Sequence, residues 1–431
     1  MQSAATGGAS PRVYTRLVLA SCFGTAIEWY DFFIYAFLAP LVFDKLFFPK
    51  LDPKVGTIAV FATFAVGFIA RPLGGIVFGH FGDRIGRKSI LLVTLLLMGI
   101  ATTLIGLLPT YEQAGLLAPL ALVVLRFLQG FALGGESIGA LLLTVENSPQ
   151  GRRGFFGSLV YAAGPFSIVM ATLAVTLVSR LPEEDLLSWG WRAPFLVSIV
   201  LVAVGVYVRL KVEESASFAK IAASRDVARL PLLEVFRRFP RPTTITLLVS
   251  LAETSFFYLT AIFAISYGIK SLGMTRTVMT DAVFYANCLA FFCVPLFGAL
   301  SDRVGRKPVF LAGVIATLLY IYPFFVMLGT RDPLLVTLAI VLAAGLIHPL
   351  MFGPEGSFFA EQFDTRVRFS GVSFGKQIGT VLGGGLAPLV ASTLLLKYDN
   401  AFEPIVAYFL AMGIVALFAT LAARETKDRT I

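Results

Sequence analysis

Apolar residues run along this chain in long blocks, broken at short intervals by polar or charged stretches. A helix that crosses a bilayer needs roughly 20 mainly apolar residues. Twelve blocks meet that length, at 17–43, 55–81, 89–108, 116–146, 155–180, 192–211, 243–269, 278–301, 309–329, 334–360, 369–396 and 402–423. The expected fold class is therefore an all-α membrane protein, with twelve transmembrane helices in two pseudo-symmetric six-helix bundles. The longest polar stretch divides the chain into an N-terminal bundle (1–211), a connector (212–241) and a C-terminal bundle (242–431). Within the connector, Ser215 to Ala228 is compatible with a surface helix.

A repeated decapeptide supports the two-bundle reading. Gly79-His80-Phe81-Gly82-Asp83-Arg84-Ile85-Gly86-Arg87-Lys88 returns 219 positions later as Gly298-Ala299-Leu300-Ser301-Asp302-Arg303-Val304-Gly305-Arg306-Lys307. Both copies read G-x-x-x-D-R-x-G-R-K and sit between apolar blocks. Internal duplication within a membrane is the architecture of alternating-access transporters. Each copy is expected to be a short charged loop whose Asp meets a helix dipole and a nearby arginine. Gly79, Asp83, Arg84, Arg87, Asp302, Arg303 and Arg306 are then candidate parts of a cytoplasmic gate. The plainer alternative is a basic loop that only sets topology.

Composition agrees with lipid as the solvent. Hydrophobic residues make up 57% and charged residues 14% of 431 positions, where soluble proteins carry about 25% charged residues. The first sixteen residues are small and polar before an uninterrupted span, so no cleavable signal peptide is expected. Cys22, Cys288 and Cys293 all fall inside apolar blocks, which points to packing and not to a disulfide framework. His80 and His348 are the only histidines, and no metal-ligand spacing occurs, so neither metal nor cofactor is expected. The net charge of +9 does not indicate nucleic acid, because the basic residues cluster in the short segments on one side of the spans. Arg84, Arg87, Lys88, Arg152, Arg153, Arg303, Arg306, Lys307, Arg366 and Arg368 share that side with most basic residues of 209–241. The positive-inside rule makes it cytoplasmic, with both termini.

Ionisable residues inside spans are costly and usually functional. The first span carries Glu28 and Asp31, three apart and on one face, with Trp29, Tyr30 and Tyr35 beside them. Two close carboxylates disfavour double ionisation, which suits proton coupling. An arginine-bound structural pair is the alternative. Arg71 ends the second apolar run, and the fourth span carries Arg126, Gln129 and Glu136. Arg126 and Glu136 are candidates for a cavity wall and for pairing with Glu28 and Asp31, or for a structural salt bridge. The second half offers Glu253, His348, Glu355, Lys376 and Gln377. Glu355 follows Glu136 by the same 219 positions. Lys376, an ammonium in an apolar span, requires an anion, either a protein carboxylate or a substrate carboxylate. His348 is either a kink-site donor or a proton relay.

The duplicated segment, Arg126 with Gln129-Gly130, and twelve spans in two halves resemble the major facilitator superfamily. Gly24-Thr25-Ala26-Ile27-Glu28-Trp29-Tyr30-Asp31-Phe32 resembles the first-span signature of its metabolite:proton symporters. Trp189-Gly190-Trp191-Arg192-Ala193-Pro194-Phe195 and Arg366-Val367-Arg368-Phe369-Ser370-Gly371 are similar to that family too. Met351-Phe352-Gly353-Pro354-Glu355 and Gly383-Gly384-Gly385-Leu386-Ala387-Pro388 resemble the shikimate-transporter-like branch. The resemblance implies proton-driven uptake of a small metabolite and a central network of Glu28, Asp31, Arg71, Arg126 and Glu136.

The expected function is import of a small organic acid with protons across a bacterial cytoplasmic membrane. A single chain is expected to act as a monomer. Trp29, Tyr30, Tyr35, Arg71, Arg126, Gln129, Glu253, Lys376 and Gln377 are the candidate substrate-binding residues. Glu28, Asp31 and Glu136 are the candidate proton carriers. A zwitterion or osmolyte symporter is the main alternative, for which Glu253 would balance Lys376. Gly164-Pro165 resembles part of an exporter signature but lacks its following glycines, which leaves drug antiport a minor option. No nucleophile–base or metal constellation suggests a membrane enzyme, and no ring of like charges suggests a channel.

Overall fold

The computed structural model describes residues 11–50, 53–211 and 230–429. It is helical throughout, with no strand among the described residues. The first bundle contains α1 (Pro11–Leu38), α2 (Pro53–Ile85), α3 (Arg87–Leu107), α4 (Leu117–Asn147), α5 (Arg153–Val178) and α6 (Arg192–Leu210). The second contains α7 (Pro240–Lys270), α8 (Arg276–Val304), α9 (Arg306–Gly329), α10 (Pro333–Ala360), α11 (Arg368–Lys397) and α12 (Glu403–Ala422). Eleven of these are long and apolar enough to cross a membrane. The bent pair Val18–Leu38 and Leu41–Phe47 brings the number to twelve. Large apolar side chains such as Leu173, Phe292, Leu319 and Leu389 face outward. Such a belt is stable only where hydrocarbon replaces water.

The duplicated segments are not loops. α2 continues through Asp83 and Arg84 to Ile85, and α3 starts at Arg87, so one glycine makes the whole connection. Gly86 adopts φ 104° and Gly305, between α8 and α9, adopts φ 121°. A side chain strains that backbone, so glycine is what allows two helices to reverse over one residue. The consequence is positional. Asp83 and Asp302 are held in rigid last turns, where a loop would let them wander.

The described end of the connector is also helical. Pro231–Arg238 forms a short helix and α7 begins at Pro240. The surface helix expected over Ser215 to Ala228 lies outside the described residues.

The halves meet along α5 against α8 and α10, and α2 against α11. Three helices of the second half change to π-helical winding midway, at Leu259–Phe263 in α7, Val341–Ile347 in α10 and Val381–Gly385 in α11. Such turns concentrate at functional sites. Here they adjoin a central cavity.

Candidate functional site: a central cavity and a latch between the halves

A cavity of about 100 Å³ lies between the halves. Trp29 and Arg71 line it from the first half, and Glu253, His348, Lys376 and Gln377 from the second. Tyr161 stacks on Phe352 across the interface at 4.5 Å, and Gln377 Nε2 donates to Gly134 O at 3.1 Å.

The second-half wall is a charge cluster. Lys376 Nζ donates to Glu253 Oε2 at 2.9 Å and to both oxygens of Glu355 at 2.8 Å. His348 Nε2 lies 2.6 Å from Glu253 Oε1, and Thr254 Oγ1 donates to Glu253 Oε2 at 2.9 Å. Lys376 is therefore not a lone ammonium. It serves two carboxylates, one of which also meets the imidazole of His348. In this structure its anions are the protein carboxylates of Glu253 and Glu355.

The first-half wall is the reverse. Arg71 is 3% exposed, and its Nε and Nη1 have no hydrogen-bond partner. Its guanidinium sits over the rings of Trp29, Phe32 and Phe68 at 5.2, 5.5 and 5.4 Å, which supplies cation–π attraction and leaves N–H groups unused. A buried guanidinium with idle donors at a cavity wall has the geometry to pair with a carboxylate.

Several residues expected at the cavity lie elsewhere. Tyr30 OH donates to Pro194 O at 3.4 Å, and Tyr35 OH bonds Thr63 Oγ1. Arg126 Nη1 donates to Gln129 Oε1 at 2.9 Å, and Gln129 Nε2 donates to Thr102 Oγ1 at 2.7 Å. Arg126 also lies 3.8 Å over the Tyr35 ring. This set packs among α1, α2, α3, α4 and α6, outside the cavity lining.

The first-half acids are also displaced from expectation. Asp31 Oδ1 accepts from Ser198 Oγ of α6 at 2.5 Å. Glu136 is bound by Arg209 of α6, with Nη1 at 3.0 Å from Oε2 and Nη2 on Oε1, and by Thr94 Oγ1 at 2.5 Å. Glu28 stands 4.0 Å from the same arginine, and its oxygens accept no hydrogen bond. The helix-1 acids thus meet neither Arg126 nor the cavity. Glu28 and Asp31 share a helix face but part to different partners. Arg209, counted in the sequence only as a topology-setting charge, is the cation beside Glu136 and Glu28.

At the end bearing the duplicated segments, the halves are latched reciprocally. Asp83 accepts from the backbone N–H groups of Phe369 and Ser370 at 3.1 and 2.9 Å, in the first turn of α11. Asp302 accepts from those of Gly154 and Phe155, both at 2.8 Å, in the first turn of α5. Each carboxylate caps a helix of the opposite half and meets its positive dipole end. Arg87 Nη2 stands 3.4 Å from Asp83, and Arg306 Nη1 2.6 Å from Asp302.

Two glutamates complete the latch. Glu146 accepts from Arg87 of its own half at 3.2 Å and Arg368 of the other at 2.8 Å. Glu361 accepts from Arg306 at 3.2 Å and lies 4.0 Å from Arg153 across the interface. Burial pushes the Glu361 carboxyl above its ordinary value, and Arg306 pulls it back. Sequence reasoning missed Glu146 and Glu361. The available signal was Glu146 with Arg153 and Glu361 with Arg368, each pair seven residues apart. Gly79 belongs to the latch by packing, since a Cβ there would meet Ser370 Cα at 3.1 Å. Arg84 and Arg303 do not join it. Both are exposed, and Arg84 instead meets His80 at 3.2 Å.

Residues 21–376 match the family model described as Major Facilitator Superfamily. This chain belongs to that superfamily. It is 37% identical to the shikimate transporter of Escherichia coli K12 over 96% of this chain and 95% of that one. It is 31% identical to the proline/betaine transporter of the same strain over 96% of this chain and 84% of the relative. Among solved structures, it is similar to the proton:xylose symporter XylE, with a TM-score of 0.78, 15% identity and coverage of 97% and 98%. That likeness shows the fold: twelve transmembrane helices in two six-helix bundles. The protein is a multi-pass membrane transporter and not an enzyme.

Proposed function

We propose that this chain imports a small organic acid, shikimate-like or another carboxylate, together with protons across a bacterial cytoplasmic membrane. The observation that carries this reading is Arg71, whose idle Nε and Nη1 sit at a cavity wall that also contains an acid-rich cluster. The substrate carboxylate binds Arg71. Trp29 and Gln377 orient the rest. With both carboxylates ionised, the Glu253–Lys376–Glu355 cluster is net negative and repels an anion. One proton neutralises it and loosens Lys376, which then turns toward the substrate. Proton and anion therefore favour each other's binding, and by linkage the effect is reciprocal. This moves the proton-carrying role from Glu28, Asp31 and Glu136 to Glu253 and Glu355.

The halves 1–211 and 242–431 rock about the cavity, and the Asp83 and Asp302 latch closes the cytoplasmic side. The excess of Lys and Arg at that end supports the orientation, with both termini inside. One chain contains the whole pathway, so a monomer suffices.

A second reading, a proline or betaine symporter, draws on the net negative cluster and the aromatic walls of Trp29, Phe257 and Phe352, which suit an ammonium group. The 31% relative named for those substrates supports it.

Uptake into proteoliposomes under an imposed proton gradient separates these readings. The panel is shikimate, dicarboxylates, aromatic acids, proline and betaine. Gradient-dependent accumulation of a carboxylate is the expected result, with KM raised about 30-fold or more in Arg71→Gln. Uptake that survives collapse of the gradient overturns symport. Accumulation of proline or betaine alone selects the second reading.

A further inference from the structure

A second cavity, of about 420 Å³, lies at the latch end beside the start of α7. Its wall contains Arg238, Arg241, Arg424 and Arg429 against one acid, Glu425. That acid is already occupied. Glu425 Oε1 accepts from the backbone N–H groups of Arg306, Thr426 and Lys427 at 3.0, 2.8 and 2.9 Å, and Oε2 accepts from Lys307 N at 3.0 Å. Arg238 has Glu234 at 3.3 Å, and Arg429 has Asp364 at 2.7 Å. Arg241 and Arg424 have no ion-pair partner among the described residues, and both are exposed. Arg241 Nη2 donates to Ala422 O at 2.7 Å, which holds its guanidinium at the mouth.

The cavity sits at a membrane boundary, since α7 starts at Pro240 and α12 ends at Ala422. The adjoining helix Pro231–Arg238 exposes Leu233 and Phe236 while carrying Arg237 and Arg238 in its last turn. That is the pattern of a helix lying in the interface, apolar face toward acyl chains. We propose that this cavity binds the phosphate of an anionic phospholipid headgroup, with Arg241 and Arg424 as its principal donors. A lipid, as opposed to a free phosphate, is favoured because the guanidinium groups stand beside an exposed apolar face at the span ends.

The site has a mechanical connection. Its wall is the tail after α12, and that tail holds the latch. Thr426 Oγ1 donates to Glu361 at 2.7 Å, Arg153 Nη1 of the first half donates to Arg429 O at 2.6 Å, and Lys307 Nζ donates to Ala423 O at 3.0 Å. A bound headgroup pins the tail and so favours the latched state.

The test is thermal unfolding of the purified full chain in detergent, with phosphatidylglycerol, phosphatidylethanolamine or inorganic phosphate added. Phosphatidylglycerol raises Tm by about 2–4 °C in the wild type. The shift disappears in Arg241→Gln with Arg424→Gln and survives in a control, Lys270→Gln with Lys397→Gln, at the far ends of α7 and α11. If the double variant folds poorly, Arg424→Gln alone, in the exposed tail, must still lose part of the shift. Inorganic phosphate reproducing the whole shift with the same arginine dependence overturns the lipid assignment. An equal shift in the double variant, or none in the wild type, overturns the site. The readout is independent of the transported substrate, so it stands or falls separately from the symport reading.

Discussion

Glu136 and Glu355 occupy the same place in the repeat, yet the two halves use them differently. Glu136 is held by Arg209 of α6 and by Thr94, within the packing of its own bundle. Glu355 is held by Lys376 of α11, whose ammonium faces the cavity. The acid is conserved by duplication, but the cation is not. An arginine supplied from behind makes a clamp. A lysine supplied from the cavity side leaves the charge cluster at the cavity wall. Equivalence within a repeat therefore predicts position, while the partner decides the role.

The largest expected effect tests the second-half member. Glu355→Gln removes gradient-driven accumulation altogether, while substrate exchange without a gradient persists. Loss of both activities by a stable variant breaks the assignment of Glu355 to coupling. Next is Glu136→Gln, which leaves the Arg209 charge buried without its carboxylate and costs about 3–5 kcal/mol of stability. It should lower Tm in detergent, with proton dependence retained per folded molecule. A stable but uncoupled Glu136→Gln returns the first half to the coupling mechanism. Removing the latch caps is milder. Asp83→Asn or Asp302→Asn each weakens the closed state by about 1–2 kcal/mol. A cysteine at the buried Ser373, with Cys22, Cys288 and Cys293 replaced by alanine, should then react faster with a water-soluble maleimide by about 5- to 30-fold. Unchanged reactivity separates the caps from the gate. Smallest is Glu28→Gln, with a change below about 1 kcal/mol, because this carboxylate accepts no hydrogen bond. Abolished coupling in this variant would sharpen the comparison in the opposite sense.

The all-helical membrane fold and its spans were legible in the sequence, because a run of about 20 apolar residues is a strong signal. The repeat was legible too, though not its shape: helix reaches both sides of Gly86 and Gly305 where a loop was expected. The repeated aspartates were singled out by the duplication, but not that each caps the other half's helix. The cavity was only half legible. Lys376 was found with its anion left open between protein and substrate, and its simultaneous hold on two carboxylates was not legible, since Glu253 lies 123 positions away and Glu355 21. Arg209 sits at a span end and reads like any topology-setting arginine, although it is 3% exposed and points inward. Glu146 and Glu361 escaped because they are 215 positions apart and not 219. The difference of four is about one helical turn. It keeps the residue on the same face while breaking the linear repeat.

The exchanged caps have a consequence for how the molecule is made. Neither half completes its own latch end: α11 takes its capping carboxylate from α2, and α5 takes its from α8. During synthesis the first half leaves Asp83 without its helix and α5 without its cap until the second half arrives. The finished transporter can hide these groups only when both halves are correctly docked. A chain whose halves are mispaired therefore leaves both helix ends open and both acids uncovered.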